Sequence, residues 1–186
     1  MPNGCCTPII IDVLGNGFDL TSRQGGVVFD FDANGRAGWI PWTAAGVDDA
    51  WLVLDRNGNA VIDSGTEFFG SLTPQPPSDH QNGFIALAEY DKPEQGGNSD
   101  GLIDSHDTIF SSLRLWQDAN HDSVSDAEEL HTLSSLKVVS FSLNYVESFR
   151  RDIHGNWFRY RAPVNIDDGR ILLGRYAWDV FLSAPW

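Results

Sequence analysis

Two kinds of residue are scarce in this sequence: cysteine throughout, and cationic side chains across its middle. The only cysteines of the 186 residues are the adjacent pair Cys5 and Cys6. A vicinal pair closes a disulfide only with strain, and two thiols with no His or further Cys beside them make no zinc site. A disulfide scaffold is therefore excluded, and the pair is either incidental or cross-links to another chain. No apolar run approaches the ~20 residues of a transmembrane helix, so no membrane span is expected. No basic stretch followed by an apolar segment marks a signal peptide either. Residues 30–129 carry 19 acidic but only 4 basic side chains, within a formal net charge of −14. Residues 137–186 reverse the balance with 5 acidic and 7 basic. Nucleic acid and anionic membrane surfaces are thereby excluded as partners, since phosphate binding needs a concentrated cationic face. Aromatic residues are plentiful, with 7 Trp and 11 Phe, and suffice for one compact domain with a sizeable core.

The acidic excess is patterned. Asp outnumbers Glu and falls in Gly/Asn-rich turns, as cation ligation requires and solubility alone does not. Leu115–Leu130 is the clearest case. With Asp118 as position 1 of a twelve-residue calcium loop, Asn120 and Asp122 take positions 3 and 5. Val124 ligates through its carbonyl at position 7, and Glu129 closes the loop at position 12. Calcium is a hard ion that takes about six to eight oxygens, so short Asp and Asn side chains followed by a long carboxylate suit it. Ser123 stands where a Gly usually makes the turn, which predicts weaker affinity rather than loss of the site. The plainer alternative is a solvated acidic turn before a helix starting near Ser125.

Three further stretches repeat the design. Asp30, Asp32 and Asn34 form the front of a loop, with the Arg36 carbonyl at position 7; Pro41 falls at position 12. A closing carboxylate must then come from elsewhere, and Asp48 or Asp49 is nearest. Asp55, Asn57, Asn59, the Val61 carbonyl and Asp63 take positions 1, 3, 5, 7 and 9, with Glu67 one residue late. Asn98, Asp100, the Leu102 carbonyl, Asp104 and Asp107 form a loop that Asp91 opens if the intervening residues bulge out. A weaker echo, Asp12-x-Leu14-x-Asn16-Gly17, reads as a turn.

The remaining pattern sets the expected fold. Strands are predicted at Pro8–Val13, Val27–Phe29, Trp51–Leu54, Lys137–Tyr145, Trp157–Val164 and Tyr176–Leu182. Helical segments are predicted at Glu67–Gly70, Phe84–Tyr90 and Thr108–Leu113. The Pro-rich stretch Ser71–Gly83 reads as a loop. The expectation is one compact α+β domain of short strands, hairpins and short helices around several EF-hand-like calcium loops. Residues 1–7 form a flexible tail, 8–136 the calcium-loop region and 137–186 a C-terminal β region.

Several segments in order resemble the calcium-dependent self-processing modules of bacterial RTX proteins, the FrpC-like group. They are TPIIIDVLGNGFD, DDAWLVLDRNGNAVIDSGTEFFG, NGFIALAEYD, DGLIDSHD and LRLWQDANHDSVSDAEELHTL, between Pro8 and Tyr145. The resemblance implies a module that binds calcium, folds on binding it, and promotes cleavage of the Asp-Pro bond just before it. Attack by the Asp side chain would give an anhydride that water or a lysine amine opens. The family's proline maps onto Pro8, but Thr7 precedes it and the chain contains no Asp-Pro. Without that carboxyl the intramolecular nucleophile is missing, so processing is expected to fail and no catalytic residue is assigned.

The function expected from sequence is thus a calcium-binding module of a secreted bacterial protein, with roughly three to four bound ions, one per loop. It is expected to be a monomer whose partners are calcium and either its parent polypeptide or another protein. The alternatives are a self-processing module and an adhesion module.

Overall fold

Short runs of β-branched and aromatic residues, each bounded by Gly, Asn or Asp, set the architecture. The computed structural model describes residues 7–167 and 175–183. Cys5, Cys6 and the rest of the expected tail up to residue 6 lie outside them. Thr7, read from sequence as the end of that tail, is buried at 2% exposure.

The strands are β1 (Ile9–Asp12), β2 (Val27–Phe29), β3 (Gly38–Ile40), β4 (Asp49–Val53), β5 (Leu102–Asp104) and β6 (Arg114–Trp116). They continue as β7 (Leu130–Thr132), β8 (Val138–Ser142), β9 (Val146–Arg151), β10 (Trp157–Ile166) and β11 (Tyr176–Phe181). Nine of them form one curled antiparallel sheet in the order β5-β8-β10-β11-β1-β4-β6-β7, with β9 also paired to β10. β2 and β3 pair separately.

The α+β expectation is therefore corrected: the protein is mostly β. Among the described residues one α-helix occurs, α1 (Gly83–Ala88), six residues long. The helices expected at Glu67–Gly70 and Thr108–Leu113 are single 3-10 turns at Gly65–Glu67 and Thr108–Ser111. The helix that the plainer alternative starts near Ser125 is a turn that runs into β7. Each segment is too short to offset the cost of helix nucleation. The EF-hand element of the expectation fails for the same reason. The loops are fed by strands: Asp30 follows β2, Asp55 lies just beyond β4, and Asp118 just beyond β6.

Strand alternation splits the core between the two faces of the sheet. Ile9, Ile11, Ala50, Leu52 and Ala177 join Phe69, Phe84 and Phe141 on one side. Ile10, Trp51, Val53, Trp178 and Val180 join Phe29, Trp42, Phe68 and Trp116 on the other. The second side is an aromatic cluster in which Trp42 lies 5.2–5.8 Å from the rings of Phe29, Trp51, Phe68 and Trp116. Three of the acidic loops are anchored around this cluster.

Candidate metal-binding loops

The loop opened by Asp118 shows the local rule most fully. The Asp118 carboxylate accepts from the amides of Asp122 at 3.1 Å and Ser123 at 2.8 Å. Asn120 Oδ1 accepts from Asp122 N–H, and Asp122 Oδ1 from Val124 N–H, two successive Asx turns. His121 and Ser123 take the left-handed conformation at φ 61° and 59°. Glu129, 11 residues after Asp118, folds back so that Oε1 accepts from Ala119 N–H at 2.9 Å. The two ends are tied to the aromatic core: Trp42 Nε1 donates to Asp118 Oδ2 at 2.7 Å and Trp116 Nε1 to Glu129 Oε2 at 3.3 Å.

The other three loops wind the same way. Asp30 accepts from Asn34 and Gly35 N–H, Asp55 from Gly58 and Ala60, and Asp91 from Asp100 and Gly101. Asp91 thus bonds the two amides that Asp118 bonds at the head of its own stretch, with Lys92–Gly97 lying where the other loops have a single residue. Asn57, Asn59, Asn98, Asp100 and Asn34 each accept from the amide two residues on, the last from Arg36. Positive φ falls at positions 4 and 6 every time: Ala33 and Gly35, Gly58 and Ala60, Ser99 and Gly101, His121 and Ser123. Glu67 does for its loop what Glu129 does for the fourth, accepting from Arg56 N–H at 3.2 Å and Asp63 N–H at 2.8 Å. The one-residue delay is taken up by the 3-10 turn Gly65–Glu67. Asn59 Nδ2 donates to Asp63, Asn98 Nδ2 to Asp100, and Asn34 Nδ2 to Asp32. Asp107 Oδ2 accepts from Asp104 N–H at 2.8 Å.

Loops two and four meet at their eighth positions, where Ile62 N–H donates to Ser125 Oγ at 2.7 Å. Ser123 Oγ reaches Val28 O, and Asp30 O accepts from Gly65 N–H, so loops one, two and four form one neighbourhood. The eighth residue of the third loop, Ile103, is buried in the other face and pairs with Phe141.

Asp49 belongs elsewhere than its sequence position suggests. It is the cross-strand partner of Asp12, and its Oδ2 accepts from Asp19 N–H at 2.8 Å. Asp48 accepts from Leu14 N–H and Asn16 Nδ2. Both acids thus close the Asp12 turn, not the Asp30 loop. Burial pushes the Asp49 carboxyl up to about 7, with Asp12, Asp48 and Asp19 adding repulsion. Burial likewise raises Glu67 and Asp107 above the usual carboxylate range.

The donor set of all four loops is oxygen only, the chemistry a hard divalent cation requires. Asp107 Oδ1 is buried without a hydrogen-bond partner, an acceptor that suits such an ion. Among the described residues no three His, Cys, Asp or Glu side chains converge on one point; the loop carboxylates are turned onto their own amides.

A second polar site, which the sequence reading missed, surrounds residue 7. Asp179 of β11 is fully buried and accepts from Thr7 Oγ1 at 2.9 Å and Gly83 N–H at 2.6 Å. Its burial pushes the carboxyl up to about 7. The one signal in the sequence was an acid inside the apolar strand Tyr176–Phe181.

Comparison with known proteins covers nearly all of this structure. The SPM domain profile matches residues 9–179. Over 165 residues the chain is 35% identical to the iron-regulated protein FrpA of Neisseria meningitidis serogroup C. That alignment takes in 87% of this chain but 14% of FrpA, so the chain corresponds to a small part of its relative's length.

Proposed function

The chain belongs to the SPM domain family, and on that premise we propose that it is a calcium-binding module of a secreted FrpC-like protein, folding as its loops fill. The observation that carries this reading is the common winding of the four loops, with the first carboxylate on the amides near positions 5 and 6 and left-handed residues at 4 and 6. That winding brings the ligand positions of one short segment close together, and an ion would draw the carboxylates off their own amides and onto itself. Asp118, Asn120, Asp122, the Val124 carbonyl and Glu129 would hold one ion. Asp55, Asn57, Asn59, the Val61 carbonyl, Asp63 and Glu67 would hold a second. Asp91, Asn98, Asp100, the Leu102 carbonyl, Asp104 and Asp107 would hold a third. The Asp30 loop, with Asp32, Asn34 and the Arg36 carbonyl, has no closing acid of its own now that Asp49 sits by Asp12, and would be the weakest. Calcium supplies positive charge to a region in which acids are crowded. Extracellular calcium near ~1 mM suffices for modest sites.

Native mass spectrometry with calcium tests the count. The expected result is three tightly held ions, one fewer in Asp118→Ala, and a fourth only at higher calcium. Protein that carries no ion at millimolar calcium would contradict the proposal.

The family premise also favours a second reading, a processing module. The peptide between residue 7 and Pro8 lies inside the fold, with Thr7 buried and its carbonyl bonded to Ser71 N–H. The chain as it stands is expected to stay intact in calcium, because Thr7 offers a hydroxyl where a carboxyl is needed. Intact-mass analysis that finds spontaneous loss of residues 1–7 would contradict this.

A further inference from the structure

Asp179 takes no part in any acidic loop. Its Oδ2 holds two neutral donors, Thr7 Oγ1 and Gly83 N–H, and its Oδ1 is buried with no hydrogen-bond partner. A carboxyl stripped of water and met mainly by neutral groups is costly, so packing alone does not account for it. The far side of residue 7 is just as confined. Ser71 N–H donates to Thr7 O at 3.2 Å and to Thr7 Oγ1 at 3.1 Å. One amide thus gathers the side-chain oxygen and the main-chain oxygen of the same residue. A Cβ added to Gly70 would stand 1.4 Å from Thr7 O, so only glycine lets that carbonyl approach. Beyond the peptide, Pro8 O accepts from Val180 N–H at 3.0 Å, which fixes the other end.

We propose that Asp179, together with the Ser71 amide, is the positioning group of a retained processing centre that curls the side chain of residue 7 towards its own carbonyl, and that Thr7 fills this centre without reacting. The proposal rests on the processing reading given above and assigns that reading its residues. With Asp at position 7, the side-chain carboxylate stands next to Asp179 and the two share one proton. Its oxygen attacks the residue 7 carbonyl carbon and forms a cyclic anhydride. The bond from that carbon to the Pro8 nitrogen breaks, and the shared proton passes to that nitrogen. One water then opens the anhydride, which restores the side-chain carboxyl of residue 7, gives it a new α-carboxyl in place of the broken peptide bond, and returns a proton to the pair. Thr7 has no carboxyl, so the centre is formed but inert.

The test uses the full chain as Thr7→Asp, alone and combined with Asp179→Asn, in millimolar calcium. Circular dichroism reads folding and intact mass reads loss of residues 1–7. The expected result is scission before Pro8 in Thr7→Asp, slowed by roughly 10²-fold in the double variant at a melting temperature no lower than that of Thr7→Asp. Should the Asn variant fail to fold, Asp179→Glu keeps a carboxyl displaced by one methylene, and scission must again slow in folded protein. Folded Thr7→Asp that stays intact overturns the processing reading and this centre with it. Scission that proceeds equally fast without Asp179 overturns the role of Asp179 and leaves the processing reading standing.

Discussion

At the scale of single residues, the buried acids dominate. Asp179 has a folded pKa near 7 against an ordinary value of 3.8. Below about pH 4 both the folded and unfolded chains are protonated there, and burial costs nothing through ionisation. Between about pH 4 and 7 the unfolded chain ionises first, so the fold loses stability as pH rises, and above 7 the loss is complete. Asp179→Asn is isosteric and cannot ionise. Relative to the unsubstituted chain it should gain up to a few kcal/mol at pH 8 and nothing at pH 4, read from urea unfolding at the two pH values. An Asn variant less stable at both would contradict the assignment. Asp118 and Glu129 make the opposite case, since each is joined to a core tryptophan. Asp118→Ala or Glu129→Ala should destabilise the calcium-loaded protein more than Asp12→Ala, by roughly 2 kcal/mol or more, because a buried indole N–H is left unpaired as well. Thermal melts of the three variants check this order, and a more damaging Asp12→Ala would reverse the ranking of the loops.

At the scale of elements, the loops were legible because their rule is local: Asx side chains bond amides two residues on, so spacing alone locates the turn. The same kind of bond spans the interrupted stretch, in which Asp91 accepts from Asp100 and Gly101 N–H across the bulge. The local rule could not find Asp48 and Asp49 beside Asp12, a closure set by the register of β1 with β4. The sequence did show the strands that run into the Asp30 and Asp55 loops, but not that the helical segments expected at Glu67–Gly70 and Thr108–Leu113 are single 3-10 turns. One turn of apolar residues between two Asp-rich turns fits either period, and sheet pairing over long sequence distances decided it. Asp179 was invisible for the same reason, its partners Thr7 and Gly83 lying 172 and 96 residues away. The pairing of loops two and four yields a further prediction. Ser125→Ala leaves the Ile62 N–H without its partner in a buried place, at a cost of about 1–3 kcal/mol. It should also lower calcium affinity at both loops together, measured by calorimetric titration; an effect confined to one loop would argue against their coupling.

At the scale of the whole molecule, charge and core pull against each other. A half of the chain with 19 acidic and 4 basic residues repels itself, while two apolar faces on one sheet hold it together. The aromatic face ends in indoles that donate to loop carboxylates, so the proposed function makes filling the loops and ordering the core one event. Binding to the folded state alone adds about 2.7 kcal/mol per site at a hundredfold excess over Kd. For a chain of this size each kcal/mol moves the midpoint by about 2–4 °C. The most direct measurement is thermal unfolding followed by far-ultraviolet circular dichroism, in millimolar calcium and in excess chelator. Coupled folding predicts a midpoint lower by well over about 10 °C in chelator, or no cooperative transition at all. Coincident melting curves under the two conditions would contradict it.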